Sequence, residues 1–261
     1  MFGGKTRKIR RGKDPFAEEI LKYYEEYCIW GGYPAVVLTK NLKERRKVLG
    51  EIYDNYILKD VRTLLQLASE NNLYRLSQHL AVNIGGIVVY ENLCAASGLD
   101  YRNVKKHMRI LQETFVCKEL KPYFNNRHKE LSRNPKMYFM DMGFRNSLLD
   151  NMGGLAARPD AGKMAENTVF IMLNSLRQDL QKLNYWRTKS GAEMDFILHT
   201  PLGLVPIEVK YSPCIEERLS RSFVSFLDKF KPAMAVVLNK DFYGRVKNGG
   251  TDIIFIPIYY L

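Results

Sequence analysis

Two hydrophobic periods divide the chain. Between residues 20 and 28 the apolar positions are Ile20, Leu21, Tyr24, Tyr27 and Cys28, the spacing of a helix with one buried face. Asp14-Pro15 starts this helix, since proline is tolerated in a first turn. Trp30-Gly31-Gly32-Tyr33-Pro34 ends it, because the glycines admit positive φ and Pro34 takes the helical region away from Tyr33. Helical spacing resumes near Asn41 and runs towards Leu67 through Leu49, Ile52, Tyr53, Tyr56, Ile57 and Val61. It returns at Leu73, Leu76, His79 and Leu80, stops at Gly85-Gly86, and is followed by a short extended link, Ile87-Val88-Val89. Glu91 to Ala96 predicts a short helix, and Ser97-Gly98-Leu99 a turn of the helix-turn-helix type. Asp100 then caps a helix reaching about Thr114, with Val104, Met108 and Leu111 on its buried face. Val116–Leu120 and Lys136–Met140 read as the two strands of a wing.

Asp141 to Asn151 predicts a short helix, and the glycine-rich stretch from Gly153-Gly154 to Gly162 a hinge between domains. The helix from Lys163 to about Gln181 carries Glu166, Phe170 and Leu173 at i, i+4 and i+7. Glu166 therefore lies on or beside a buried face, where a carboxylate is costly without a cation or a donor. From Trp186 to Lys210 the period changes to two. The run reads as strand, turn (Lys189-Ser190-Gly191), strand, turn (Pro201-Leu202-Gly203), strand. Alternation sets Glu193 and Asp195 on one face and Met194 and Phe196 on the other; Glu208 and Lys210 share a face opposite Ile207 and Val209. Beyond it, Glu216 to Lys229 is amphipathic through Leu219, Phe223, Phe226 and Leu227. Ala233 to Leu238 is a continuous apolar run of the kind covered on both faces, and Ile253–Ile256 predicts an edge strand.

Composition narrows the partners. Of 261 residues, 46% are hydrophobic, which excludes wholesale disorder. No apolar run approaches the roughly 20 residues that span a bilayer, and the Met-Phe-Gly-Gly-Lys start lacks an apolar signal segment, so a membrane role is not expected and a cytoplasmic one is. Cys28, Cys94, Cys117 and Cys214 are scattered, arguing against both zinc and a disulfide framework. The net charge of +12 favours a polyanionic partner, nucleic acid such as DNA first and an acidic membrane surface second. The charge is patterned. Residues 1–13 are basic without an acidic member. Arg102, Lys105, Lys106 and Arg109 fall at i, i+3, i+4 and i+7 of the second helix of the turn, and Arg127 and Lys129 stand in the wing loop. A recognition helix needs such a stripe to meet phosphates. Among polar base-readers only Asn103 accompanies it, so the pattern favours backbone contacts over sequence reading. A solvated face, or a protein adaptor, would show a similar stripe.

If the last two strands of the 186–210 stretch pair, Asp195, Glu208 and Lys210 converge at their ends; by spacing alone a surface salt-bridge ladder fits equally well. Asp195 followed by Glu208-Val209-Lys210, with Glu166 upstream in Gly162-Lys163-Met164-Ala165-Glu166-Asn167, is similar to the signature of the restriction-endonuclease-like, or PD-(D/E)xK, superfamily. The fuller string, including the Trp186-Arg187…Gly191-Ala192-Glu193-Met194-Asp195 strand pair, Gly31-Gly32-Tyr33-Pro34 and Lys59-Asp60, resembles the C-terminal domain that archaeal and bacterial AAA-type ATPases carry after their motor. The resemblance implies an α+β chain. Residues 1–16 would be a basic tail, 17–70 a helical segment and 71–150 a winged helix-turn-helix. Residues 151–261 would be a restriction-endonuclease-like α/β domain with a mixed central sheet. It also implies Mg2+ (or Mn2+) held by Asp195 and Glu208, with the Val209 carbonyl as a third donor. Glu166 would join directly or through water, and Lys210 would position the attacking water. Gly3-Gly4-Lys5-Thr6 lacks the first glycine, preceding strand and following helix of a phosphate-binding loop, so the motor itself is expected elsewhere. The readings carried forward are a metal-dependent nuclease with its own DNA-binding domain, a non-catalytic DNA-binding or interaction module, and a winged-helix transcriptional regulator.

Overall fold

The computed structural model describes residues 14–55, 71–124, 134–177, 181–212 and 219–261. Of these, the residues within 22–119 and 134–171 make one compact unit, here the helical unit, and the remainder make a second, the sheet unit. Arg127, Lys129, Lys59-Asp60 and the basic stretch 1–13 lie outside the described residues, as does the helix expected towards Leu67 beyond residue 55.

α1 (Ala17–Trp30), which belongs to the helical unit from Lys22 onwards, is followed there by α2 (Pro34–Leu38) and α3 (Leu42–Ile52). Between α1 and α2 Gly31 takes φ 75°, a left-handed turn only glycine adopts cheaply. α4 (Asn71–Val82), α5 (Tyr90–Ser97) and α6 (Tyr101–Glu113) follow. The α5–α6 turn is made by Gly98 at φ 72°, and the Asp100 carboxylate accepts the Asn103 N–H at 2.9 Å to start α6. Val104, Met108 and Leu111 are buried, as their spacing predicts. β1 (Cys117–Leu120) and β2 (Lys136–Phe139) form a small sheet, and the Gly85–Val88 link joins it: Ile87 bridges Lys136 and the Gly85 N–H reaches the Met137 carbonyl at 2.8 Å.

Asp141 precedes α7 (Met142–Leu148) and holds two elements at once. Its Oδ1 accepts the Phe144 N–H (2.8 Å) and its Oδ2 the Gly32 N–H (2.7 Å). A Cβ on Gly143 would fall 1.9 Å from the Trp30 carbonyl oxygen, so no larger residue permits this approach of α7 to the end of α1. The Asn146 amide donates to the Cys28 and Ile29 carbonyls at 3.0 and 2.8 Å. Arg145 is 1% exposed and satisfied by the Ala81 carbonyl and by Asp160, which Arg158 also binds. α8 (Ala161–Leu176) starts beyond it, and its Asn167 side chain donates to and accepts from the main chain of Phe139.

The sheet unit contains β3 (Leu183–Arg187), β4 (Glu193–Thr200), β5 (Gly203–Lys210), α9 (Arg221–Phe230), β6 (Met234–Asn239), β7 (Gly244–Asn248) and β8 (Thr251–Pro257). The strands lie in the order β3-β4-β5-β6-β8-β7. β3, β4 and β5 are antiparallel neighbours; β5, β6 and β8 run parallel, so the sheet is mixed. Ser220 caps α9 through the Phe223 N–H (3.0 Å), and Phe223, Phe226 and Leu227 bury against Trp186, Val237 and Phe255. Each such side chain contributes about 1.5–3 kcal/mol by leaving water. The edge position expected for Ile253–Ile256 is taken instead by β7, since β8 is paired on both sides. β7 alternates exposed Arg245 and Lys247 with more buried residues, the charged pattern by which an edge avoids further pairing.

Candidate metal and nucleic-acid sites

Antiparallel pairing sets Phe196 opposite Ile207, and one step further along the two strands brings Asp195 opposite Glu208. There the main-chain ladder gives way: the Val209 N–H donates at 2.8 Å to Asp195 Oδ2. Asp195 and Glu208 are each the next residue beyond the last paired position, so they stand at the same end of the strand pair. The Glu208 side chain is only 12% exposed, and its Oε2 is buried with no hydrogen-bond donor. Lys210 Nζ stands 3.7 Å from that oxygen, near enough to attract but too far to hydrogen-bond. A buried carboxylate oxygen without a hydrogen-bond donor is costly, and Lys210 is a cation within ion-pair distance of it.

Asp195 and Glu208 supply hard oxygen donors, with the Val209 carbonyl between them in sequence. Among the described residues, no three His, Cys, Asp or Glu side chains gather into a metal-holding group. Two carboxylates and a carbonyl are hard oxygen donors of the kind that Mg2+ takes while keeping several waters. Glu193, on the same strand face as Asp195, pairs with Arg187 across the β3–β4 ladder at 3.3 Å.

Glu166 belongs to the helical unit, and its carboxylate is satisfied there. Oε1 accepts from Lys136 Nζ at 3.0 Å and from the Tyr138 hydroxyl at 2.5 Å. Lys136 is 2% exposed, and the Tyr138 ring stacks on Phe170 with centroids 4.4 Å apart. The donor that a carboxylate on this helix face requires is thus a buried lysine from β2. Neither Lys136 nor Tyr138 is singled out by the sequence reading. The available signal was their period-two spacing on one face of a short strand, with a lysine in an otherwise apolar run.

On α6, Arg102, Lys105, Lys106 and Arg109 are all exposed. The Lys105 ammonium lies 4.6 Å from the Tyr101 ring centre and 5.6 Å from that of Tyr90. Arg109 is paired with Glu113 at 2.7 Å, so part of its charge is met within the helix. Asn103 donates its amide to Asp100 Oδ2 at 2.6 Å and serves the cap. His107 is buried, with Nδ1 2.7 Å from the Asn103 carbonyl, and burial pushes its pKa down.

Residues 21–153 match the family model described as Domain of unknown function (DUF8612), and residues 161–260 match the one described as Domain of unknown function (DUF4143). An uncharacterised protein of Haemophilus influenzae is 24% identical over 243 residues, covering 90% of this chain and 57% of its own length. Uncharacterised proteins of Mycobacterium tuberculosis and Mycobacterium bovis are each 31% identical over 125 residues, covering 47% of this chain and 28% of theirs. The chain thus spans about half the length, or less, of the curated relatives it matches. Among the described residues no helix is long and apolar enough to cross a membrane.

Proposed function

The chain belongs to the family described as Domain of unknown function (DUF8612), a name that assigns no activity, and from the side chains themselves we propose a DNA-binding protein whose sheet unit carries a magnesium-dependent phosphodiesterase site of the PD-(D/E)xK kind. The observation that carries this reading is the buried, donorless Oε2 of Glu208, across the strand pair from Asp195 and 3.7 Å from Lys210. Mg2+ bound there would neutralise charge on the phosphate and lower the pKa of an attacking water. Asp195 and Glu208 are its direct ligands. The Val209 N–H fixes the Asp195 carboxylate in position. Lys210, about one-third exposed, orients the attacking water and meets the negative charge that develops on the phosphate.

For DNA binding, the supporting features are the α4–α5–α6 arrangement followed by strands, which reads as a winged helix-turn-helix, and the exposed cations of α6. The DUF4143 match and the greater length of the relatives support reading the chain as the partner of an AAA-type ATPase motor. Nicking of supercoiled plasmid in Mg2+ or Mn2+ tests the proposal. The unaltered protein nicks, and Asp195→Ala and Lys210→Ala abolish nicking while DNA binding persists. Equal nicking by the variants overturns the assignment.

A second reading, a non-catalytic DNA-binding module, is favoured by one specific observation. Glu166, the acidic residue that the superfamily resemblance places at the metal, is engaged by Lys136 and Tyr138. Absence of nicking together with intact DNA binding selects this reading.

A further inference from the structure

We propose that the helical unit holds a binding pocket for a small organic cation, an ammonium group on an aromatic or aliphatic body, received by Asp141 and Tyr27 with Phe115 at the rim. The pocket takes no residue from the phosphodiesterase site and stands or falls without it.

The cavity has a volume of about 800 Å3, within the roughly 300–1,000 Å3 range of small-molecule sites. All of its lining belongs to the helical unit. Val48, Ile52 and Met140 supply apolar wall, and Tyr27, Tyr33 and Phe115 supply rings. Asp141 and Glu51 are its only charged lining residues; no lysine or arginine lines it. Glu51 is met by Lys47 at 3.7 Å on α3. Asp141 is 9% exposed and has no cation beside it among the described residues. Its hydrogen-bond donors are main-chain N–H groups, those of Phe144, Gly32 and Gly143.

Gly32 stands against both polar members of the pocket. Its N–H donates to Asp141 Oδ2 at 2.7 Å, and a Cβ built on it would lie 3.7 Å from the Tyr27 hydroxyl. That hydroxyl has no hydrogen-bond partner among the described residues. Burial first, and the Asp141 charge second, push its pKa up to about 12, so it stays neutral. A buried carboxylate without a countercharge is costly, and an ammonium supplies what the carboxylate and the idle hydroxyl oxygen both accept. The rings and apolar wall favour an organic cation over a metal ion, which keeps its waters. Phe115 ends α6 at φ 58°, a region where glycine is cheapest, and leaves its ring 71% exposed. An exposed ring on a strained backbone gains little from the fold alone. Against a ligand it buries apolar surface and offers its face to the charge.

The test is calorimetric titration of the full chain with tryptamine in phosphate buffer, beside indole-3-propionate, which puts the opposite charge on the same ring system. Tryptamine should bind one site per chain with Kd between about 0.01 and 1 mM, the range for a ligand of this size. Indole-3-propionate should bind at least about tenfold more weakly, since it meets a like charge. Tyr27→Phe should weaken tryptamine binding about tenfold, the scale of one hydrogen bond to a charged group. Phe115→Gly suits the left-handed backbone, so its melting temperature should hold or rise while affinity falls about fivefold. Asp141→Asn also alters the turn that Asp141 caps, so the Tyr27 and Phe115 variants decide. Equal affinity for the two probes, no saturable binding of tryptamine, or binding that either variant leaves unchanged overturns the proposal.

Discussion

Lys136 on β2 places its ammonium 3.0 Å from Oε1 of Glu166 on α8, and the two side chains are 3% and 17% exposed. A buried pair of this kind is weak evidence of net stability, yet removing one partner strands the other charge. Lys136→Met should therefore lower unfolding stability by about 3–5 kcal/mol, measured by urea denaturation in EDTA. Lys136→Met combined with Glu166→Leu should recover most of that loss. If Glu166→Ala is as stable as the unaltered protein in metal-free buffer, Glu166 does not take its partner from within the helical unit, and its role as a metal ligand regains ground.

Asp160 gives the helical unit an acid limit. Arg158 and Arg145, each within 2.8 Å, hold its carboxyl well below the usual carboxylate range, against a smaller opposing push from burial. A depressed folded value means that the stabilisation is complete above the unfolded value of about 3.9 and drains away as pH falls below it. Melting temperature followed from neutral pH downwards should drop more steeply below about pH 4 for the unaltered protein than for Asp160→Asn. Asp160→Asn should also be less stable at neutral pH. Parallel curves for the two proteins would remove Asp160 from the acid response.

The exposed cations of α6 make a quantitative claim about DNA. Lys105→Ala with Lys106→Ala should weaken duplex binding and lower the slope of log K against log salt by about 1.8, two phosphate contacts at about 0.9 each. An unchanged slope would remove α6 from the contact surface and leave the charge of this face as solvation only.

The helices and strands of both units were largely legible because their signals are local. Asp100 and Gly98 mark the α5–α6 turn, and the period-two run from Trp186 to Lys210 gives β4 and β5 close to their observed bounds. What the sequence could not deliver was neighbourhood. Residues 244–248 lack a strong apolar run, so the pattern alone predicts no strand there and leaves β8 at the edge that β7 in fact takes. The helical spacing places Glu166 beside a buried face, but its partner lies 30 residues upstream on a two-stranded sheet, and nothing in the local pattern of α8 names Lys136. Likewise Lys240 and Tyr211 meet only because β5 and β6 are parallel neighbours, a pairing that no spacing within either strand encodes.

On the proposed reading the end of the β4–β5 pair holds a divalent ion, and binding of that ion can be measured without any substrate. Titration of Mn2+ into the metal-free protein, followed by calorimetry, should show one site per chain. Glu208→Gln should weaken that site, and Asp195→Ala with Glu208→Gln should eliminate it, with the fold retained by circular dichroism. Binding of undiminished affinity in the double variant would contradict the account.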